Sequence, residues 1–512
     1  MRRWQLVPLL VLSLVLSPAV AAGAAPPRSP DAVAPPETAP GAVTPPDTVV
    51  GRQLSWLLDV SHRLPAPAAE IVAHLDPAVL EQAGGVDAVN RYLEMISGGT
   101  GLRLLRYEAG SETAARALVV SDVGTWELGL AVTPDGLLSA LSILPYLPGP
   151  ASWAELDRSL SELAPRVSMQ VSRVDDRDGR CRPVHGVNAD LARPLGSAFK
   201  LYVLAALAHE IAAGRAGWDE QLALRDDWKS LPSGVLQDVP AGTSLPLRDY
   251  ANLMIAISDN TAADHLIHRL GRSTVTAQQV RFGTRNPGRN APFLTTRELF
   301  QLKLTRYPAL LNAYAALPRP ARRVLLDTVV DRLPLPALSD ASDWTAPRGI
   351  DAAEWFASAA DLCRVFAGLD RQARTAGLEP VGEALSANDS GIWLDPAGWS
   401  TTWYKGGSEP GVLTMNYLAR TVDGRTFVAA VLLSDPAAAI DEAATVPRVQ
   451  AVVRGALALA AGVPTTTTTA GPARAAAVTR FGAPVAGFGT PVAGFADPVT
   501  GFGGSWPPGP GR

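Results

Sequence analysis

Between residues 152 and 462 the apolar segments come in an order that few folds accommodate: helix, strand hairpin, long helical stretch, strand hairpin, helix. A helix is read around Trp153–Leu163, followed by strands at Arg166–Val174 and Cys181–Val187 with Asp178-Gly179 as the turn between them. A mostly helical middle runs to about residue 370. The chain then reads as strand Val412–Thr421, turn Asp423-Gly424, strand Thr426–Ser434 and a helix from about Ile440 to Ala461. Two isolated hairpins are marginal on their own, so the economical solution joins them in one antiparallel sheet with helices packed on it. The expected class is α+β.

At 512 residues the chain is too long for one compact core, and a second unit is read upstream. Leu54–Ile96 has helical periodicity. Strands are expected at Leu102–Tyr107, Ala117–Val120, Trp126–Val132 and Leu137–Ile143, with a Pro134-Asp135-Gly136 turn before the last. Helices followed by a four-stranded meander make a small α+β domain over 50–148, closed by Pro148-Gly149-Pro150. Arg2-Arg3, the apolar run Leu6–Leu16 and small-x-small sequences at Ala19-Val20-Ala21 and Ala22-Gly23-Ala24 read as a cleaved signal peptide, residues 1–24. The expected location is therefore secreted or extracytoplasmic, with no membrane span once the leader is removed. Residues 25–49 read as an Ala/Pro/Thr-rich linker. Residues 463–512 read as a disordered tail with three Pro-Val-x-Gly-Phe copies beginning at Pro484, Pro491 and Pro498.

Three short polar motifs carry the chemistry. Ser197-Ala198-Phe199-Lys200 opens the apolar helix Leu201–Ala213. Positions i and i+3 share a helix face, so the Lys200 amine can stand beside the Ser197 hydroxyl. An alcohol is a poor nucleophile until a base takes its proton, and a lysine with a depressed pKa can do so. Ser258-Asp259-Asn260 follows the helical stretch Leu247–Ile257, and Lys405-Gly406-Gly407-Ser408 stands just before the strand Val412–Thr421. Each alone has a structural reading: a first-turn serine, a helix stop and cap, a turn into a strand. Their order and spacing argue for one site.

S-x-x-K, S-D-N and K-T-G in that order mark class A β-lactamases and penicillin-binding proteins. The chain resembles that family over about 152–462. The context agrees: Ser233-Gly234-Val235-Leu236-Gln237, Ala241-Gly242-Thr243, Leu253-Met254-Ile255, Thr261-Ala262-Ala263 and Phe293-Leu294-Thr295-Thr296. With the extra upstream domain it is similar to two-domain β-lactamase-related proteins of actinobacteria, including one from clavulanic-acid gene clusters and a mycobacterial lipoprotein. The resemblance implies a serine β-lactamase or penicillin-binding-type domain, an antiparallel sheet plus a helical subdomain, preceded by a cystatin- or steroid-isomerase-like (NTF2-like) α+β domain. It implies Ser197 as nucleophile, Lys200 as general base and Ser258 as proton relay. Asn260 would hold substrate or Lys200, and Lys405 would bind a substrate carboxylate. Gly407 belongs to the substrate-binding strand. The N–H groups of Ser197 and Ser408 would form the oxyanion hole, with the Ser408 hydroxyl contacting substrate. The implied substrate is a small β-lactam or related ester.

Two departures set expectations. The third motif is Lys-Gly-Gly, so the threonine hydroxyl is missing. No Glu-x-x-Leu-Asn lies between Thr261 and Thr295, and Val280–Pro292 holds no Glu or Asp. Acylation is expected to be intact and deacylation slow; the alternative is a penicillin-binding or sensing protein without turnover. The long Ser258–Lys405 separation implies inserted helices around the pocket.

No cofactor or metal is expected. His265 and His268 share a helix face without a metal-ligand motif around them, Asp175, Asp176 and Asp178 read as solvated turn residues, and no G-x-S-x-G surrounds a serine. A net charge of −4 argues against a nucleic-acid partner. Cys181 and Cys363 are the two cysteines, either paired or separately buried.

Overall fold

The structure is a computed structural model that describes residues 43–463. The leader, residues 25–42 of the linker and, apart from Val463, the tail lie outside the described residues.

The upstream unit begins with four helices, Val49–Val60, Ala68–His74, Pro77–Ala83 and Val86–Ser97. A four-stranded antiparallel sheet follows, Arg103–Ala109, Ala114–Val120, Thr125–Val132 and Leu138–Pro145, each strand paired with the next. Leu54, Ile71 and Ile96 from the helices meet Ala117, Leu128 and Leu130 from the sheet in a core of their own.

The downstream unit is built on a five-stranded antiparallel sheet. Its order is Trp399–Glu409, Val412–Thr421, Thr426–Ser434, Arg166–Val174, Cys181–Val187. The first hairpin joins the last strands as expected, through pairs such as Val431 with Met169. These central strands are apolar on both faces because both faces are covered. On one side lie Trp153–Ser161 and Glu442–Ala461, whose Leu156, Leu160, Val449 and Val453 pack on Met169 and Val431. On the other lies the helical half, centred on Lys200–Ala212, whose residues Lys200 to Ala208 are all buried. A helix apolar all round belongs inside a core. The long separation between the second and third motifs holds the helices Ala309–Ala316, Arg319–Thr328 and Leu338–Ser342. Among the described residues no helix is long and apolar enough to cross a membrane.

Cys181 opens the outermost strand, Cys363 sits in helix Ala359–Ala373, and the two form a disulfide with Cα atoms 6.3 Å apart. The two units meet at the loop before strand Trp399–Glu409. Arg116 donates to both Asp389 carboxylate oxygens at 2.8 and 2.7 Å, and Trp393 packs with Leu118 and Tyr146.

Candidate active site

Ser197 lies in a short 3-10 turn, Gly196–Phe199, running into the buried helix Lys200–Ala212. Phe199 stacks on Trp355 at 3.7 Å between ring centroids, which fixes the turn from below. Lys200 Nζ donates to Ser197 Oγ at 3.1 Å, as the i, i+3 spacing requires. The same amine reaches Ser258 Oγ at 3.1 Å, the Ser258 carbonyl at 2.5 Å and Asn260 Oδ1 at 2.7 Å. Burial pushes the Lys200 amine down to about 7, although Asp259 and Asp264 pull the other way. Near neutral pH a substantial fraction is the free base.

Ser258 sits at φ +59°, a left-handed backbone that is uncommon for a non-glycine residue. The neighbours hold it there. Its carbonyl accepts from Lys200 and from Ser233 Oγ at 2.7 Å. Asp259, fully buried, caps helix Asn260–Leu270 through Ala262 N and also accepts from Val235 N and Leu236 N at 2.7 and 3.0 Å. A Cβ on Gly234 would fall 2.2 Å from that carboxylate, so glycine is needed there. Asn260 is committed to Lys200, with its amide nitrogen donating to Leu231 O at 3.0 Å.

The third motif does not stand before a strand; it lies on a strand of its own, Trp399–Glu409, at the edge of the sheet. Sequence reading missed this strand because its glycines weaken the alternating apolar signal. Lys405 is buried, and its Nζ donates to Ser258 Oγ at 3.0 Å and Gly406 O at 2.8 Å. Burial, and then the charge of Lys200, hold it far below the usual lysine range. Gly407 has a packing role: a Cβ there would lie 2.2 Å from Ser197 N, so only glycine lets this strand pass beside Ser197. A Cβ on Gly406 would meet Tyr404 Oη at 2.0 Å; a phenol fills the space beside the position where the motif lacks its threonine. The Ser408 hydroxyl is engaged by Glu442, whose carboxyl burial raises.

These elements line an open cleft that includes Ser197, Ser233, Asn260, Thr296, Glu354, Ser408 and Glu409. The other six residues expected from the sequence thus gather at Ser197: Lys200 by direct contact, Ser258, Asn260 and Lys405 through the lysine contacts, and Gly407 and Ser408 by backbone approach to its turn. Sequence reading missed a buried cluster at the floor of the cleft. Lys303, on helix Thr296–Leu304, bonds both Glu409 carboxylate oxygens at 2.5 and 2.6 Å and stands 3.5 Å from Glu354 Oε1. A glutamate inside the apolar run Ala352-Ala353-Glu354-Trp355-Phe356 was the available signal. Neither the sequence distance nor the spacing could pair it with Lys303 and Glu409. His265, read above as a histidine without metal context, bonds Arg225 N at 3.0 Å and Thr261 O at 2.7 Å.

The profile of the Beta-lactamase enzyme family matches residues 157–302, so this C-terminal part of the chain carries a β-lactamase-family domain. Comparison with curated proteins finds no match. Among solved structures, the chain is similar to a β-lactamase from Sphaerobacter thermophilus DSM 20745 at 19% identity, covering 62% of this chain and 99% of that one, with a TM-score of 0.44. It is similar to PBP-A at 18% identity, covering 60% and 97%, TM-score 0.40. A β-lactamase from Chitinophaga pinensis DSM 2588 aligns at 14% identity, covering 61% and 98%, TM-score 0.41.

Proposed function

We propose that this chain is an exported serine hydrolase acting through an acyl-enzyme on Ser197, with a β-lactam or a related ester as substrate. The observation that carries the reading is the buried Lys200 amine, 3.1 Å from Ser197 Oγ and held near neutral pKa. Free Lys200 takes the Ser197 proton as Oγ bonds to the substrate carbonyl carbon. The Ser197 and Ser408 N–H groups stabilise the oxyanion. Collapse breaks the carbonyl–leaving-group bond, and the leaving group receives a proton through Ser258 Oγ, which both lysines touch. Water then hydrolyses the serine ester.

Export is supported by the leader-like residues 1–24 and by the Cys181–Cys363 disulfide, a bond typical of oxidising compartments. The upstream domain, of the cystatin- or steroid-isomerase-like kind in this reading, braces the loop that leads into the Lys405 strand.

The absence of any carboxylate in Val280–Pro292 favours slow deacylation, and it also favours a second reading: a penicillin-binding or sensing protein acylated once. Purified protein mixed with nitrocefin and a chromogenic acyl ester, followed by burst and steady-state rates beside intact mass, separates them. Sustained turnover lost in Ser197→Ala supports the hydrolase. One adduct without turnover supports the sensor. No adduct with either reagent sinks both.

A further inference from the structure

Hydrolysis of a serine ester needs a base to deprotonate the attacking water, and the loop Val280–Pro292 offers none. A carboxylate does reach the cleft from another direction. Glu354 precedes the short strand Phe356–Ala357, which pairs with Arg193–Pro194 just ahead of the nucleophile. This pairing brings Glu354 against the Ser197 turn: Oε2 accepts from Gly196 N at 3.2 Å and from Trp355 N at 2.9 Å. Oε1 is buried and lacks a hydrogen-bond donor, with Lys303 Nζ 3.5 Å away. Glu354 and Ser197 line the same cleft.

We infer that Glu354 is the base that activates water for hydrolysis of the Ser197 acyl-enzyme. This rests on the acyl-enzyme reading above. Oε1 takes a proton from water while the water oxygen bonds to the acyl carbon. The tetrahedral intermediate then collapses with cleavage of the bond from the acyl carbon to Oγ. Oγ takes up the proton held by Glu354, restoring the serine hydroxyl and releasing a carboxylic acid.

The surroundings suit the task. The groups facing Glu354 are Lys303 from helix Thr296–Leu304 and Glu409 from the edge strand; Arg348 binds the Lys303 carbonyl at 3.0 Å. Burial raises both the Glu409 and the Glu354 carboxyls, and the Lys303 ammonium between them opposes both shifts. The raised Glu354 carboxylate is a stronger base than an ordinary carboxylate. Oε2 is anchored by two backbone N–H groups, and Oε1 has the Lys303 ammonium at 3.5 Å.

The test is rapid-quench intact-mass spectrometry of the full chain with nitrocefin and with a chromogenic acyl ester. Glu354→Gln keeps an oxygen for the Gly196 and Trp355 N–H groups and loses the base. The expected result is an acyl adduct that forms within about tenfold of the wild-type rate and decays some 10²- to 10⁴-fold more slowly. An adduct that decays as in the wild type overturns the role of Glu354 and leaves Ser197 standing. A wild-type protein that is acylated but never turns over also overturns it. A wild-type protein never acylated overturns the acyl-enzyme reading itself. Should Glu354→Gln fail to fold, the wild-type deacylation rate serves. It should rise with pH through a value above the usual carboxylate range, and a flat profile across that range counts against Glu354.

Discussion

Lys200 and Lys405 converge on one atom: their Nζ groups stand 3.1 and 3.0 Å from Ser258 Oγ. Two full positive charges at that spacing, both buried, would repel strongly. The conflict is relieved by proton loss, which is why burial and mutual repulsion depress Lys405 and burial brings Lys200 to about 7. The geometry that gathers three motifs also makes a lysine basic enough, and neutral enough, to accept a proton.

The first prediction follows from the sign of that shift. Lys200 acts as a base only when deprotonated, so the acylation rate should climb with pH through about 7 and level above it. Stopped-flow acylation by nitrocefin measures this. Lys200→Ala should lower that rate by about 10²- to 10⁴-fold with an unchanged far-ultraviolet circular dichroism spectrum. A profile without a step near neutrality would remove Lys200 as the base.

Gly407→Ala tests the close approach of the edge strand. The added Cβ would sit 2.2 Å from Ser197 N, so strand or turn must shift. Overpacking of this kind costs roughly 1–3 kcal/mol, and a displacement of about 1 Å at the nucleophile costs on the order of 10²-fold in rate. The measurements are urea unfolding and acylation kinetics. Wild-type values in both would show that the strand has slack.

Lys303 is held between two buried glutamates, Glu354 and Glu409, both under 10% exposed. Lys303→Met strands them and should cost about 3–5 kcal/mol in unfolding free energy at neutral pH. Glu409→Gln keeps one oxygen for Lys303, whose charge still has Glu354 beside it, and should cost less, within about 1.5 kcal/mol. Equal losses from both substitutions would contradict the sharing of Lys303 between the two glutamates.

The Cys181–Cys363 bridge closes a loop of 182 residues in sequence separation. A double Cys→Ser variant should lose about 2–5 kcal/mol, read as a lower Tm in matched thermal scans. Intact mass under alkylating conditions should show no free thiol in the unreduced protein. Two alkylated cysteines there would disprove the pairing.

Much of this protein was legible before folding. Short apolar runs bounded by the turns Asp178-Gly179 and Asp423-Gly424 marked Arg166–Val174, Val412–Thr421 and Thr426–Ser434 as strands of one sheet. Ser197, Lys200, Ser258 and Asn260 were found because helix geometry and motif order are local properties of the chain. The strand carrying Lys405 was not found, since Gly406 and Gly407 erase the alternation that announces a strand.

The sequence by itself determined the class of fold, the placing of Lys200 beside Ser197, and the absence of a carboxylate from the loop Val280–Pro292. Only the tertiary structure decided which distant charges meet. It paired Cys181 with Cys363, set Asn260 on Lys200, brought Lys405 to Ser258, and placed Glu354, Lys303 and Glu409 under the nucleophile. The physical reason is range: hydrophobic period and capping act over a few residues and can be read along the chain, whereas a buried charge finds its partner through the packing of elements far apart in it.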